Sequence, residues 1–292
     1  MDPHSIDGLF ARAVGAIDRG DLTEVELVLQ THPELVSLRL ESPGPWLRDS
    51  VGGALDGFFG RPYLLWFVAE DPVRQNHLSP NVVEIARRII ETARVHARAS
   101  FQAQLDDTLR LVAWSGVAAR CGVQLPLIDV LVEAGALPAA NANNALVNHH
   151  LAAAERLIEH GGRLTLAAAL CLDRWDDVPR LFGEANSRQR QFALVLAALN
   201  GRAAAVGWML AAGVPPNEAS ADLYSHGRPL HHAVCSGSLD TVRALVEGGA
   251  DKTIADTAWN GTPLGWAEHY VSSVEPERRG PYEAIARYLE SS

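Results

Sequence analysis

The chain has 292 residues, of which 48% are hydrophobic and 21% are charged, and its net charge at pH 7 is −10. The charged fraction is too small for a disordered chain. The negative balance argues against a nucleic-acid partner, because binding to a phosphate backbone needs a basic surface. The cysteines Cys121, Cys171 and Cys235 form no CxxC pair and leave an odd thiol, which predicts a reducing, cytoplasmic location.

Apolar residues recur at helical spacing along the chain, and glycine or a polar turn closes each segment. In chain order, the spacing predicts helix pairs at residues 9–19 and 22–30, 63–69 and 82–93, 108–115 and 126–134, 143–148 and 151–160, 166–172 and 176–182, and 191–199 and 203–211. Two further pairs follow, and the last helix is expected at 281–289. The apolar stretch 192–214 has Asn200-Gly201-Arg202 at its centre, so we expect a turn there and no membrane span.

Paired short helices cannot bury their apolar faces alone and must stack on neighbouring pairs. We therefore expect one continuous all-α domain over residues 1–292. Two segments near the C-terminus carry a clear repeat motif. The first contains Arg228-Pro229-Leu230-His231-His232-Ala233 followed by Gly249-Ala250-Asp251, and the second begins with Gly261-Thr262-Pro263-Leu264-Gly265-Trp266-Ala267.

These two segments resemble the ankyrin repeat family, and residues 81–87 and 122–129 resemble bacterial ankyrin repeat proteins that carry loop insertions. The resemblance implies an all-α ankyrin repeat solenoid of about eight irregular helix-turn-helix units with short hairpin fingers. The repeats at 226–292 match the family well, and those at 7–217 are degenerate. The resemblance also implies that the imidazole of His231 ties neighbouring hairpins by hydrogen bonds.

Ankyrin repeat proteins are overwhelmingly binding modules, so the resemblance implies a non-catalytic protein that binds a partner protein through its concave face. The family's exposed first-helix positions fall here on Asn148, Asn200, Cys235, His269 and Tyr270. Large aromatic side chains on or beside the first helices are further candidate anchors, and these are Trp66, Trp114, Tyr224, His232 and Trp266. The alternative role of each tryptophan is packing between repeat units.

Insertions interrupt the repeats at residues 41–62, 70–81, 116–125 and 218–227, and loops inserted into repeat arrays are often functional. The first three combine polar and aromatic side chains, as small-ligand sites do. The candidate pocket residues are Trp46, Asp49, Arg61, Tyr63, Asp71, Arg74, His77, Arg120 and Gln124. The alternative is that Asp and Arg side chains only fasten the loops, in surface pairs worth about 0–1 kcal/mol each.

No GxGxxG, GxxxxGKS/T, HExxH or GxSxG motif occurs, so we expect neither a cofactor nor a metal. His231 and Cys235 are one helix turn apart and would ligate a metal only if further ligands converged. Two other functions stay open beside protein binding. One is small-molecule binding or unconventional catalysis by the insertion loops, and the other is action as a host-directed bacterial effector.

Overall fold

The computed structural model describes residue 2, residues 4–138 and residues 141–291. The described residues form helices and connecting segments without a β-strand. They divide into two compact units, Met1–Arg163 and Leu164–Ser292. The single domain expected over residues 1–292 stays a prediction, and its two end residues lie outside the described ranges. Over the described ranges, no helix has both the length and the apolar character that crossing a bilayer requires.

The first unit stacks its helices in two rows. Its α-helices are α1 (Ile6–Arg19), α2 (Leu22–Thr31), α3 (Pro45–Val51), α4 (Val82–His96), α5 (Phe101–Trp114), α6 (Gly116–Arg120), α7 (Gln124–Ala134), α8 (Asn141–Val147) and α9 (Leu151–Glu159), with 3₁₀ helices at Pro33–Ser37, Gly52–Asp56 and Leu64–Ala69. In one row α1, the 3₁₀ helix Leu64–Ala69, α5 and α8 contact one another in turn, and in the other α2, α4, α7 and α9 do so. Fully buried side chains from both rows, such as Ile17, Ile89 and Leu105, form the core.

The second unit has the same construction. Its helices are α10 (Leu166–Cys171), α11 (Val178–Glu184), α12 (Ser187–Leu199), α13 (Ala203–Ala211), α14 (Pro229–Cys235), α15 (Leu239–Glu247), α16 (Pro263–Ser273) and α17 (Gly280–Ser291), with a 3₁₀ helix at Pro276–Arg278. Here α10, α12, α14 and α16 form one row, and α13, α15 and α17 form the other. All eight predicted helix pairs are thus present among the described residues, and the all-α repeat fold is confirmed.

Left-handed glycines close the turns inside the pairs, as the sequence predicts. Gly20 ends α1 with φ = 67°, and its N–H bonds to the carbonyls of Ala16 and Ile17. A side chain at Gly20 would also collide with the insertion 70–81, because a Cβ there would lie 2.2 Å from the Oγ of Ser79. The expected turn at residues 200–202 is likewise present, with φ = 67° at Gly201.

The structure corrects several predicted boundaries. The segment predicted as an α-helix at residues 63–69 contains instead the buried 3₁₀ helix Leu64–Ala69. Helix α5 begins at Phe101, seven residues before the predicted start, and its polar Gln104 is buried and donates to the carbonyl of Val36 (2.9 Å). A buried polar residue interrupts the apolar periodicity, and this explains why the predicted start of α5 lies after the observed one. The insertions 41–62 and 116–125 are partly helical, since they contain α3 and α6.

A buried ion-pair network fastens the insertion 70–81 to α1. The guanidinium of Arg74 donates to both carboxylate oxygens of Asp18, at 3.0 and 2.8 Å, and lies 2.8 Å from the carboxylate of Glu70. The side chain of Arg74 is 6% exposed, and that of Glu70 is fully buried. Arg74 is therefore a fastening residue and does not take the pocket role predicted for it, because its charge is already used by two carboxylates.

We expect Arg74→Ala to lower the free energy of unfolding by about 3–5 kcal/mol, because it leaves buried carboxylates without their cation. The control is Arg87→Ala, since Arg87 and Glu133 form an exposed pair at 3.3 Å that is worth about 0–1 kcal/mol. Chemical denaturation followed by circular dichroism measures both losses. Equal losses in the two variants would contradict the buried network.

Candidate functional site

Four aromatic side chains meet where the loops before α14 and α16 lie side by side. They are Tyr224, His226, Trp259 and Trp266, which we call the aromatic platform. The ring of His226 is at its centre, with centroids 6.1 Å from Tyr224, 4.9 Å from Trp259 and 6.0 Å from Trp266. The two indoles are 5.8 Å apart. Trp259 is 70% exposed and Tyr224 is also exposed, so the platform presents a large aromatic surface to solvent.

Asp256 holds the loop that carries Trp259. Its Oδ1 accepts the backbone N–H groups of Ala258 (2.8 Å) and Trp259 (2.7 Å), and its Oδ2 accepts that of Gly261 (2.9 Å). Oδ2 also accepts the indole N–H of Trp266 at 2.9 Å. Burial alone would raise the pKa of Asp256, but these hydrogen bonds outweigh it and hold the pKa well below its ordinary value. One ionised carboxylate thus fixes both tryptophans of the platform.

His231 links the loop before α14 to the loop before α16 by hydrogen bonds. Its Nδ1 accepts the backbone N–H of Arg228 (3.1 Å), so its Nε2 carries the proton and donates to the carbonyl of Gly261 (3.0 Å). The predicted bridging role of His231 is confirmed. Both nitrogens are occupied, so His231 has no lone pair left for a metal beside Cys235. Within the described ranges, no three His, Cys, Asp or Glu side chains are grouped to hold a metal ion.

His232 lies beneath the platform and is buried. Its ring stacks on that of Tyr224, with centroids 5.9 Å apart and planes inclined by 29°. Burial, together with the neighbouring imidazoles of His231 and His226, lowers the pKa of His232 to about 4. Burial also lowers the pKa of His231. His232 therefore supports the platform as a neutral side chain. Because it is buried, it does not take the partner-binding role predicted for it.

Cys235, His269 and Tyr270 form a second group on α14 and α16. The hydroxyl of Tyr270 donates to the Sγ of Cys235 (3.0 Å), and the Tyr270 ring stacks on that of Tyr282 with centroids 4.7 Å apart. Burial raises the pKa values of both Cys235 and Tyr270. Only His269 of this group is exposed, so the group offers a partner less surface than the platform does.

The remaining predicted anchors have different surroundings. Trp66 is buried against Phe59 of the insertion 41–62 and against Tyr63, so it is a packing residue and not an exposed anchor. Trp114 is 39% exposed, and Asn148 donates to its carbonyl oxygen (2.9 Å). The side-chain amide of Asn200 donates to the carbonyl of Leu196 within the same helix turn (2.9 Å).

The structure brings together only part of the predicted insertion-loop pocket. Asp71 and Arg120 line a depression of about 640 Å³ beside Trp114. Asp71 and Trp114 also line a narrower cavity of about 350 Å³. The other predicted residues are engaged elsewhere or exposed: Trp46 donates to Asp7, Asp49 is exposed, Arg61 pairs with Glu41, Tyr63 lies under Arg39, His77 is near Cys121 and Gln124 donates to backbone carbonyls.

Several residues of the platform and of the narrow cavity are not predicted from the sequence. Trp259 is absent from the predicted anchors although it stands in a polar turn, where a tryptophan has no helical face to bury. Asp256 gives no signal, because only the folded loop reveals its donors. In the narrow cavity the unpredicted lining residues are Phe58, Arg110, Leu111 and Asn144. Helical spacing from Trp114 would have found Arg110 and Leu111, which lie one turn earlier on α5.

Comparison with known proteins adds a family match. Residues 145–256 match a family model described as ankyrin repeats in three copies. This range runs from α8 to Asp256. The crystal structure of the human ASB11 ankyrin repeat domain aligns with 73% of this chain and 99% of that chain, at 16% identity and a TM-score of 0.34. No curated protein matches the sequence.

The buried His232 makes the second unit sensitive to acid. Because its folded pKa is about 4 and its ordinary value is 6.5, the unfolded chain takes up the proton first as the pH falls. The contribution of His232 to the free energy of unfolding is therefore complete above pH 6.5. It falls by about 3 kcal/mol as the pH decreases toward 4. We expect His232→Gln to lose less stability than the wild type over this window. Denaturation at a series of pH values measures the difference, and parallel pH profiles would contradict it.

Proposed function

We propose that this ankyrin repeat protein is a non-catalytic interaction module that binds a partner protein through the aromatic platform of its second unit. Ankyrin repeats generally serve protein–protein interaction, and repeat arrays bind through the surface that successive units build together. The observation that carries the proposal is the 70% exposure of Trp259 in a loop held by four hydrogen bonds to Asp256.

The platform has the physical properties of a binding hot spot. Tryptophan and tyrosine dominate interface energetics because each buries a large area at a small cost in side-chain entropy. Here that cost is reduced further, since Asp256 and His231 fix the loops before any partner arrives. An exposed aromatic surface that is already ordered is worth more to binding than to the stability of the isolated chain.

The partner surface that we propose is basic as well as apolar. The faces of indole and phenol rings attract guanidinium and ammonium groups by about 0.5–2 kcal/mol per contact. The net charge of −10 on the whole chain adds a long-range attraction for a basic partner. We place this interaction in the cytoplasm, in keeping with the odd number of cysteines.

A second candidate function is small-molecule binding in the first unit. The observation that favours it is the cavity of about 350 Å³ at Asp71 and Trp114. Its volume lies in the range of ligand pockets, and its walls are mostly apolar with a few polar groups. This function is independent of the platform, because the two sites lie in different units.

We expect Trp259→Ala to raise the Kd of the partner complex about 30-fold, because the loss of a hot-spot tryptophan costs about 2 kcal/mol of binding free energy. The partner is first isolated by affinity capture on the 292-residue chain, identified by mass spectrometry and purified. Its Kd for each variant is then measured by isothermal titration calorimetry.

The matched control is Trp175→Ala, because Trp175 lies in the same unit and is 38% exposed but is distant in sequence from the platform. We expect it to leave the Kd unchanged. Thermal unfolding verifies that both variants are folded. Wild-type affinity in Trp259→Ala, or an equal loss in Trp175→Ala, would exclude the platform as the binding surface.

A further inference from the structure

The narrow cavity of the first unit combines aromatic walls with opposite charges. Phe58, Leu111 and Trp114 form its apolar wall, and Asp71, Arg110 and Asn144 supply its polar groups. Phe58 is 49% exposed and Trp114 is 39% exposed, so both rings are available to a ligand. These rings can bury the apolar body of a small molecule, and the polar groups decide which charge it must carry.

Asp71 is the polar group of this cavity whose charge the described residues leave without a partner. Among the described residues its carboxylate has no hydrogen-bond or ion-pair partner, whereas the adjacent Glu70 accepts three backbone N–H groups and pairs with Arg74. Burial raises the pKa of Asp71 to about 6, and the charge of Arg110 only partly opposes this. A partly buried carboxylate without donors is costly, and such a group in a cavity is a candidate binding group.

Arg110 does not satisfy Asp71. Its Nη2 donates to the Oδ1 of Asp107 at 2.9 Å, within the same helix. The positive charge of Arg110 is therefore already paired, whereas the negative charge of Asp71 is not. The cavity consequently offers an anion and aromatic ring faces, and both attract a cation.

We propose that this cavity binds a small molecule that carries a protonated amine on an apolar body, with Asp71 accepting the ammonium N–H groups and Phe58 and Trp114 covering the body. The inference rests on the second candidate function, small-molecule binding, and is independent of the aromatic platform. The wider depression shares Asp71 and Trp114 with the cavity, so a longer ligand has room to extend toward Arg120.

The test uses three probes of similar size that differ in charge: phenethylamine, its neutral analogue phenethyl alcohol, and the anion hydrocinnamate. Saturation-transfer NMR with the 292-residue chain at pH 7.5 and millimolar probe gives the affinity of each. We expect phenethylamine to bind about tenfold more tightly than the alcohol, because only the amine forms a charge-assisted hydrogen bond.

Variants assign the effect to the cavity. Asp71→Asn should reduce the affinity for phenethylamine about tenfold and leave that for phenethyl alcohol unchanged. Phe58→Ala should weaken both probes, because it removes apolar wall common to both. The control Asp49→Asn alters an exposed carboxylate of the insertion 41–62 and should change neither. Circular dichroism verifies folding, and Asp71→Asn removes an unpartnered charge, so it should not destabilise the chain.

Three results would overturn the inference. Undiminished phenethylamine binding by Asp71→Asn would remove Asp71 from the site. Tighter binding of hydrocinnamate than of phenethylamine would make Arg110 the recognising group, so the amine assignment would fail while small-molecule binding survived. Failure of all three probes to bind would reject the amine assignment together with the small-molecule function, and would leave the protein-binding function untouched.

Discussion

Within each unit of this chain, a helix pair buries its apolar face only against the neighbouring pairs. In the second unit this contact runs through α10, α12, α14 and α16 in turn. Stacking α14 on α16 also sets the separation of the loops that precede them. His226 and Trp259 belong to those two loops, and their rings meet because the helices behind them are packed. The platform is therefore a product of repeat packing, and neither repeat would form it alone.

Helical spacing is sufficient to predict the helix pairs, because it reports which face of a helix is buried. It does not report the exposure of a single aromatic side chain, which depends on residues distant in sequence. Trp66 is covered by Phe59 and Tyr63, whereas Trp259 in a polar turn is open to solvent. The insertions are the least predictable part, since helices as short as α3 and α6 give no clear periodic signal. The motif around His231, in contrast, predicts both its position and its hydrogen bonds.

Glu70 and Asp71 show how adjacent residues of the same charge acquire different roles. The carboxylate of Glu70 is enclosed by the backbone of its own loop and by Arg74, so it serves the stability of the insertion. Asp71 borders the cavity, and its carboxylate accepts no hydrogen bond from the described residues. The sequence places both in the insertion 70–81 and does not show which of the two lies among hydrogen-bond donors. Only the distribution of hydrogen-bond donors separates a structural carboxylate from one available to a ligand.

The bridge from His231 to the carbonyl of Gly261 spans consecutive repeats. Because a repeat contacts only its neighbours, it can open without the rest of the array, and opening of α16 and α17 would break this bridge and release the loop that carries Trp259. Occupancy of the platform and local opening of α16 and α17 are thus thermodynamically linked: a bound partner stabilises the closed repeat, and an open repeat cannot hold a partner. The repeat formed by α16 and α17 therefore contributes both to the packing of the stack and to its recognition surface.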